Sequence, residues 1–184
     1  MTPLAEAWEW FERTVLRLRL AQVLADDWDG LPDGLRVSRD DRFKPLEGVE
    51  IKEIAKAAEE VLKEMAVVRM FAAFESMVRL RLAQEIGWES ARLVHPVLRS
   101  VADEALKEVR RGSFARVLSL SRSIDPELTE QVRQIRCYRN WLTHGKPIAE
   151  TGGIQSIDPR TVYLRLGSYL VALDKGSPTF REGD

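Results

Sequence analysis

Residues 50–86 read EIKEIAKAAEEVLKEMAVVRMFAAFESMVRLRLAQEI, a run without Pro or Gly. Ile51, Ile54, Ala58, Val61, Met65, Val68 and Ala72 recur at alternating steps of three and four. That spacing puts them on one helical stripe, which Leu62, Phe71, Phe74 and Val78 widen. The pattern predicts a long helix that ends near Gly87, with this stripe turned to the core. Continued at the same spacing, the stripe meets Glu75 and Arg79. They are either a surface ion pair one turn apart or a carboxylate aimed into a shared pocket.

Outward from this run the other segments also read as helices. Towards the N-terminus, Pro3 suits a first turn, and Leu4, Trp8, Phe11, Val15 and Leu18 follow at helical spacing over residues 3–25. Residues 26–48 collect Asp, Gly and Pro, which is turn chemistry; they lack the spacing of a calcium loop. On the other side, Trp88–Arg111 reads as a helix interrupted or restarted at His95-Pro96, because Pro removes a donor and restricts the residue before it. Phe114, Val117 and Leu118 mark a short helix. Asp125-Pro126-Glu127 combines an N-cap, a first-position Pro and a first-turn acid, and Asp158-Pro159 repeats the signature. Val162, Leu166, Tyr169, Leu170 and Leu173 then fit a last helix, although residues 162–166 also alternate as a strand would. Residues 175–184 are polar and read as a flexible tail. The resulting expectation is an all-α bundle of about five or six helices in one domain spanning 1–184. Residues 1–49 supply a first helix and loop, and 50–174 supply the core.

Bulk properties narrow the function classes. A chain of 184 residues suffices for one domain with a proper core. The formal net charge of −1 provides no global basic field, so any nucleic-acid contact has to come from a local patch. The single cysteine, Cys137, excludes an internal disulfide and fits the reducing cytoplasm. No apolar run approaches membrane-spanning length, and Glu6, Glu9 and Glu12 interrupt what would be a signal sequence.

The residues that carry chemistry are clustered in Arg136-Cys137-Tyr138-Arg139-Asn140-Trp141-Leu142-Thr143-His144-Gly145-Lys146. Leu128, Val132, Ile135 and Leu142 share one stripe of the helix begun at Asp125, and Arg139 falls on that stripe. A guanidinium within an apolar line requires a partner. Arg136, Asn140 and His144 lie on an adjacent line. Gly145 and Pro147 stop the helix, which places His144 in or just past its last turn. An imidazole beside an arginine suits phosphodiester chemistry: His moves a proton while Arg holds phosphate oxygens.

Arg139-Asn140, three residues, then His144-Gly145 at the end of a late helix resembles the motif of the HEPN superfamily (higher eukaryotes and prokaryotes nucleotide-binding). Met70-Phe71-Ala72-Ala73-Phe74-Glu75-Ser76 is similar to the aromatic-and-Glu helix of several of its families. The resemblance covers residues 50–173. It maps Arg139, Asn140 and His144 onto the catalytic motif and implies a homodimer in which Arg139 and His144 of both copies line one cleft. It further implies metal-independent cleavage of RNA, by attack of the ribose 2′-OH on the adjacent phosphate, with no cofactor. Glu75 would support the site, and Arg136 and Lys146 would add phosphate contacts. Such enzymes serve as toxins in toxin–antitoxin or phage-defence systems, often beside a nucleotidyltransferase-like antitoxin. The alternative is a non-catalytic HEPN module, a dimerising scaffold or nucleotide binder whose Arg and His close a hydrogen-bonded core.

Overall fold

The computed structural model describes residues 1–26, 48–120, 124–145 and 155–176. Six helices occupy them: α1 (Pro3–Asp26), α2 (Gly48–Arg92), α3 (Pro96–Arg111), α4 (Phe114–Leu120), α5 (Pro126–Thr143) and α6 (Pro159–Gly176). No strand occurs among the described residues, so the all-α expectation holds and residues 162–166 are helical. Most of the Asp/Gly/Pro-rich stretch at 26–48, and the tail beyond 176, lie outside the described residues.

Helix boundaries follow local chemistry. Asp125 Oδ1 accepts from Glu127 N at 2.7 Å, ahead of Pro126 at the first helical position of α5. Asp158 Oδ1 does the same for Arg160 N at 2.9 Å at the start of α6. At α3 the cap is His95, whose Nδ1 accepts from Val97 N at 3.2 Å, with Pro96 next. That structural duty accounts for the histidine outside the motif. The expected stop at Gly87 is not observed: α2 continues to Arg92 and is 45 residues long. A glycine within a helix costs only about 1 kcal/mol, too little to end one that packs along most of its length.

Helix α2 is the spine. Asp26–Lys52 at 2.6 Å, Arg19–Glu59 at 3.4 Å and Arg69 over the Trp10 ring at 4.6 Å descend α1 as they ascend α2, so the two are antiparallel. Arg81 joins α2 to α6 through Asp174 at 2.5 Å and the Leu170 carbonyl at 3.1 Å. The core centres on aromatic edges: Phe71 and Phe74 of α2 meet Phe114 of α4 in T-shaped contacts, and Phe74 meets Tyr169 of α6 at 5.4 Å. Val67, Met70, Val78, Val132, Ile135, Val162 and Leu166 fill the space around them, all essentially shut from solvent.

The part of α2 that does this is the expected flank of the stripe, Leu62, Phe71, Phe74 and Val78, and not its centre. Ala55, Leu62, Ala66, Val67, Met70, Phe71, Phe74 and Val78 are buried. Ile54, Val61 and Met65, from the centre of the predicted stripe, are 57%, 56% and 54% exposed. The helix carries two apolar faces. The one bearing two phenylalanines removes more area from water, and it takes the contacts with α4, α5 and α6. No helix among the described residues is long and apolar enough to cross a membrane.

Candidate functional site

The last turn of α5 delivers the motif. Val132, Ile135 and Tyr138 are buried and fix the rotation of the helix, and the Tyr138 hydroxyl lies 3.2 Å from Ser156 Oγ ahead of α6. Trp141, half-buried, stacks on Tyr138 with centroids 6.0 Å apart. This rotation carries Arg139 to the edge of the core, facing α2, as expected of a charge on the packing stripe.

There the guanidinium meets what such a group needs. Its Nη2 lies 3.6 Å from Glu75 Oε2, and its Nη1 donates to Asn140 Oδ1 at 2.9 Å. Its Cζ stands 5.4 Å from the centre of the Phe71 ring. Arg139 Nε is buried without a hydrogen-bond partner. The side chain remains 28% exposed, with Asn140 and Glu75 each facing one of its terminal nitrogens.

Glu75 serves two arginines. Its Oε1 accepts from Arg79 Nε at 3.0 Å and Arg79 Nη2 at 2.7 Å, while Oε2 faces Arg139. Of the two readings of the charges on the stripe, the i to i+4 pair is present but part-buried rather than at the surface, and the second carboxylate oxygen is turned towards Arg139.

His144 caps the C-terminus of α5. Its backbone N–H donates to Asn140 O at 2.9 Å, and its side chain is exposed. Gly145 follows at φ +77, the left-handed region where a Cβ would be strained, so glycine here lets the chain turn away. The turn leaves the imidazole outside the core, one turn beyond Asn140 on the same side of the helix. Arg136 is half-buried, and its Nε is shut from solvent with no hydrogen-bond partner. Lys146 lies outside the described residues.

Thus Arg139, Asn140 and Glu75 touch directly or through one another, and His144 is joined to Asn140 through the helix backbone. The Phe71 ring under the arginine has one sequence signal, the pair Phe71 and Phe74 beside Glu75. A separate cavity of about 590 Å³ opens between α5 and α6, with Arg133, Cys137, Asp158 and Arg165 in its lining. Cys137 and Arg139 are about 200° apart around α5, so that cavity belongs to the opposite face of the helix. Among the described residues no group of three or more His, Cys, Asp or Glu is placed to hold a metal ion. The chain matches no protein-family model, no curated protein and no solved structure.

Proposed function

We propose that the chain is a metal-independent endoribonuclease of the HEPN type that works as a homodimer in the cytoplasm. Arg139 holds the scissile phosphate and stabilises the charge that develops on its oxygens. His144 moves the proton. It accepts it from the ribose 2′-OH as that oxygen attacks phosphorus, and the 5′-oxygen leaves and is protonated in turn. The products are a 2′,3′-cyclic phosphate and a 5′-hydroxyl. Asn140 and Glu75 orient Arg139.

The observation that carries this reading is an exposed His144 at the end of the helix turn that holds Arg139, whose guanidinium is oriented by Glu75 and Asn140 and is still 28% exposed. A histidine packed into its own core would have argued the other way. The homodimer draws support from the exposed apolar face of α2. Ile54, Val61 and Met65 form a surface that a soluble monomer rarely leaves uncovered, and its spacing ends at Ala72, one turn before Glu75. A second copy seated there would adjoin the site. A role as a toxin, held in check by a nucleotidyltransferase-like antitoxin, rests on the resemblance of the motif alone.

One observation favours the second reading, a non-catalytic scaffold or nucleotide binder: Arg139 already has Glu75 and Asn140 as partners and needs no substrate to balance its charge. Incubating purified protein with RNA in EDTA separates the two readings, since only the enzyme releases fragments ending in a cyclic phosphate.

A further inference from the structure

Arg79 engages all three of its guanidinium nitrogens. Nε and Nη2 donate to Glu75 Oε1, at 3.0 and 2.7 Å. Nη1 donates to the Val109 carbonyl at 2.5 Å and Nη2 also to the Gly112 carbonyl at 3.0 Å. The Val109 carbonyl is one of the last four of α3, which have no partner within their own helix, and Gly112 is that helix's C-cap. Below the guanidinium, 5.4 Å from its Cζ, is the Phe114 ring, which meets Phe71 edge-on at 5.7 Å. Phe71 in turn underlies Arg139 at 5.4 Å. The side chains form a two-tier stack: Arg79, Glu75 and Arg139 above, Phe114 and Phe71 below.

An i to i+4 pair on an exposed helix face leaves both side chains free to swing and contributes little. This pair is different, because Arg79 is only 20% exposed and is tied to a second helix by two carbonyls. With Oε1 accepting from both Nε and Nη2 of Arg79, the carboxylate has one oxygen left, and that oxygen is the one opposite Arg139.

We propose that Arg79 is a positioning residue of the Arg139 site: anchored to the C-terminus of α3, it fixes the Glu75 carboxylate and thereby the orientation in which Arg139 presents its guanidinium to a phosphate. The inference deepens the ribonuclease reading and rests on it for its consequence in catalysis, but the positioning itself is readable without any reaction.

The test uses the full chain with Arg79→Met, Arg79→Lys, Glu75→Gln and the Arg79→Met/Glu75→Gln double variant. The Nε–H signal of Arg139, assigned by its disappearance in Arg139→Lys, is followed in ¹H–¹⁵N spectra. Cleavage of an RNA oligonucleotide gives kcat and KM. Arg79→Met is expected to shift the Arg139 signal as Glu75→Gln does, and to lower kcat about tenfold with KM changed less than about twofold. Arg79→Lys keeps a charge near Glu75 but cannot reach both carbonyls, and falls between. The double variant is expected to lose no more than Glu75→Gln alone, because Arg79 acts through Glu75. An Arg139 signal unmoved in both folded Arg79 variants overturns the proposal, as does a double variant that loses the product of the two single effects. A wild-type protein that cuts no RNA defeats the ribonuclease reading alone, and the Arg139 signal still decides the positioning.

Discussion

Glu75 and Arg139, on different helices, face each other at 3.6 Å between carboxylate and guanidinium. The pair joins the spine of the bundle to the helix that carries the motif. It also sits at the margin of the core, with Phe71 beneath and solvent above. Both side chains are about three-quarters removed from water, so the interaction is stronger than an exposed pair and weaker than a fully buried one.

Removing the charge on Glu75 should therefore cost stability. In Glu75→Gln two guanidiniums are left close together with only an amide between them. We expect a loss of about 1–2 kcal/mol, read as a lower midpoint in urea unfolding at unchanged slope. A change within about 0.3 kcal/mol would mean the carboxylate contributes nothing to holding Arg139 and Arg79.

The two apolar faces of α2 should respond very differently to truncation. Phe74→Ala removes a ring in contact with Phe71, Phe114 and Tyr169, and should cost about 3–5 kcal/mol. Met65→Ala, on the exposed face, should cost less than about 1 kcal/mol in the monomer. Comparable losses at the two positions, measured by denaturant unfolding at low protein concentration, would contradict the rotation of α2 described above.

If that exposed face is where two copies meet, placing charge on it should separate them. Val61→Glu and Met65→Glu are expected to shift a dimer towards monomer in sedimentation velocity while leaving the helical circular dichroism unchanged. An assembly that withstands both substitutions uses some other surface.

Gly145 offers a backbone test. With φ at +77 and nothing near its Cβ position, Gly145→Ala meets strain rather than a clash. The expected loss is about 1 kcal/mol or more, checked by thermal unfolding. Because the strain falls on the residue next to His144, cleavage should decline along with stability.

Much of the fold was legible because it is written in local signals. The Asp125-Pro126 and Asp158-Pro159 starts act through caps within three residues, and the α6 stripe of Val162, Leu166, Tyr169, Leu170 and Leu173 is the one that is buried. That the centre of the α2 stripe stays exposed while its flank of Leu62, Phe71, Phe74 and Val78 is buried was not legible. Two faces with helical spacing compete, and the outcome depends on Phe114 and Tyr169, which arrive from distant positions in the chain. The end of α2 was misplaced for a related reason: packing overrides the modest preference of Gly87. At the site, the demand of Arg139 for a partner could be read from its place on an apolar stripe, with Glu75 the candidate within one chain and the motif of a second copy the candidate across chains. The anchoring of Arg79 to Val109 and Gly112 could not be read, since backbone carbonyls some thirty residues away leave no trace in side-chain pattern.

The most direct measurement is RNA cleavage by the purified protein in EDTA, set beside His144→Ala and Arg139→Ala. The predicted result is fragments ending in cyclic phosphate from the wild type, and at least about a hundredfold slower cleavage by each variant. No cleavage by the wild type, or equal cleavage by all three proteins, would contradict the assignment of Arg139 and His144 as an active site.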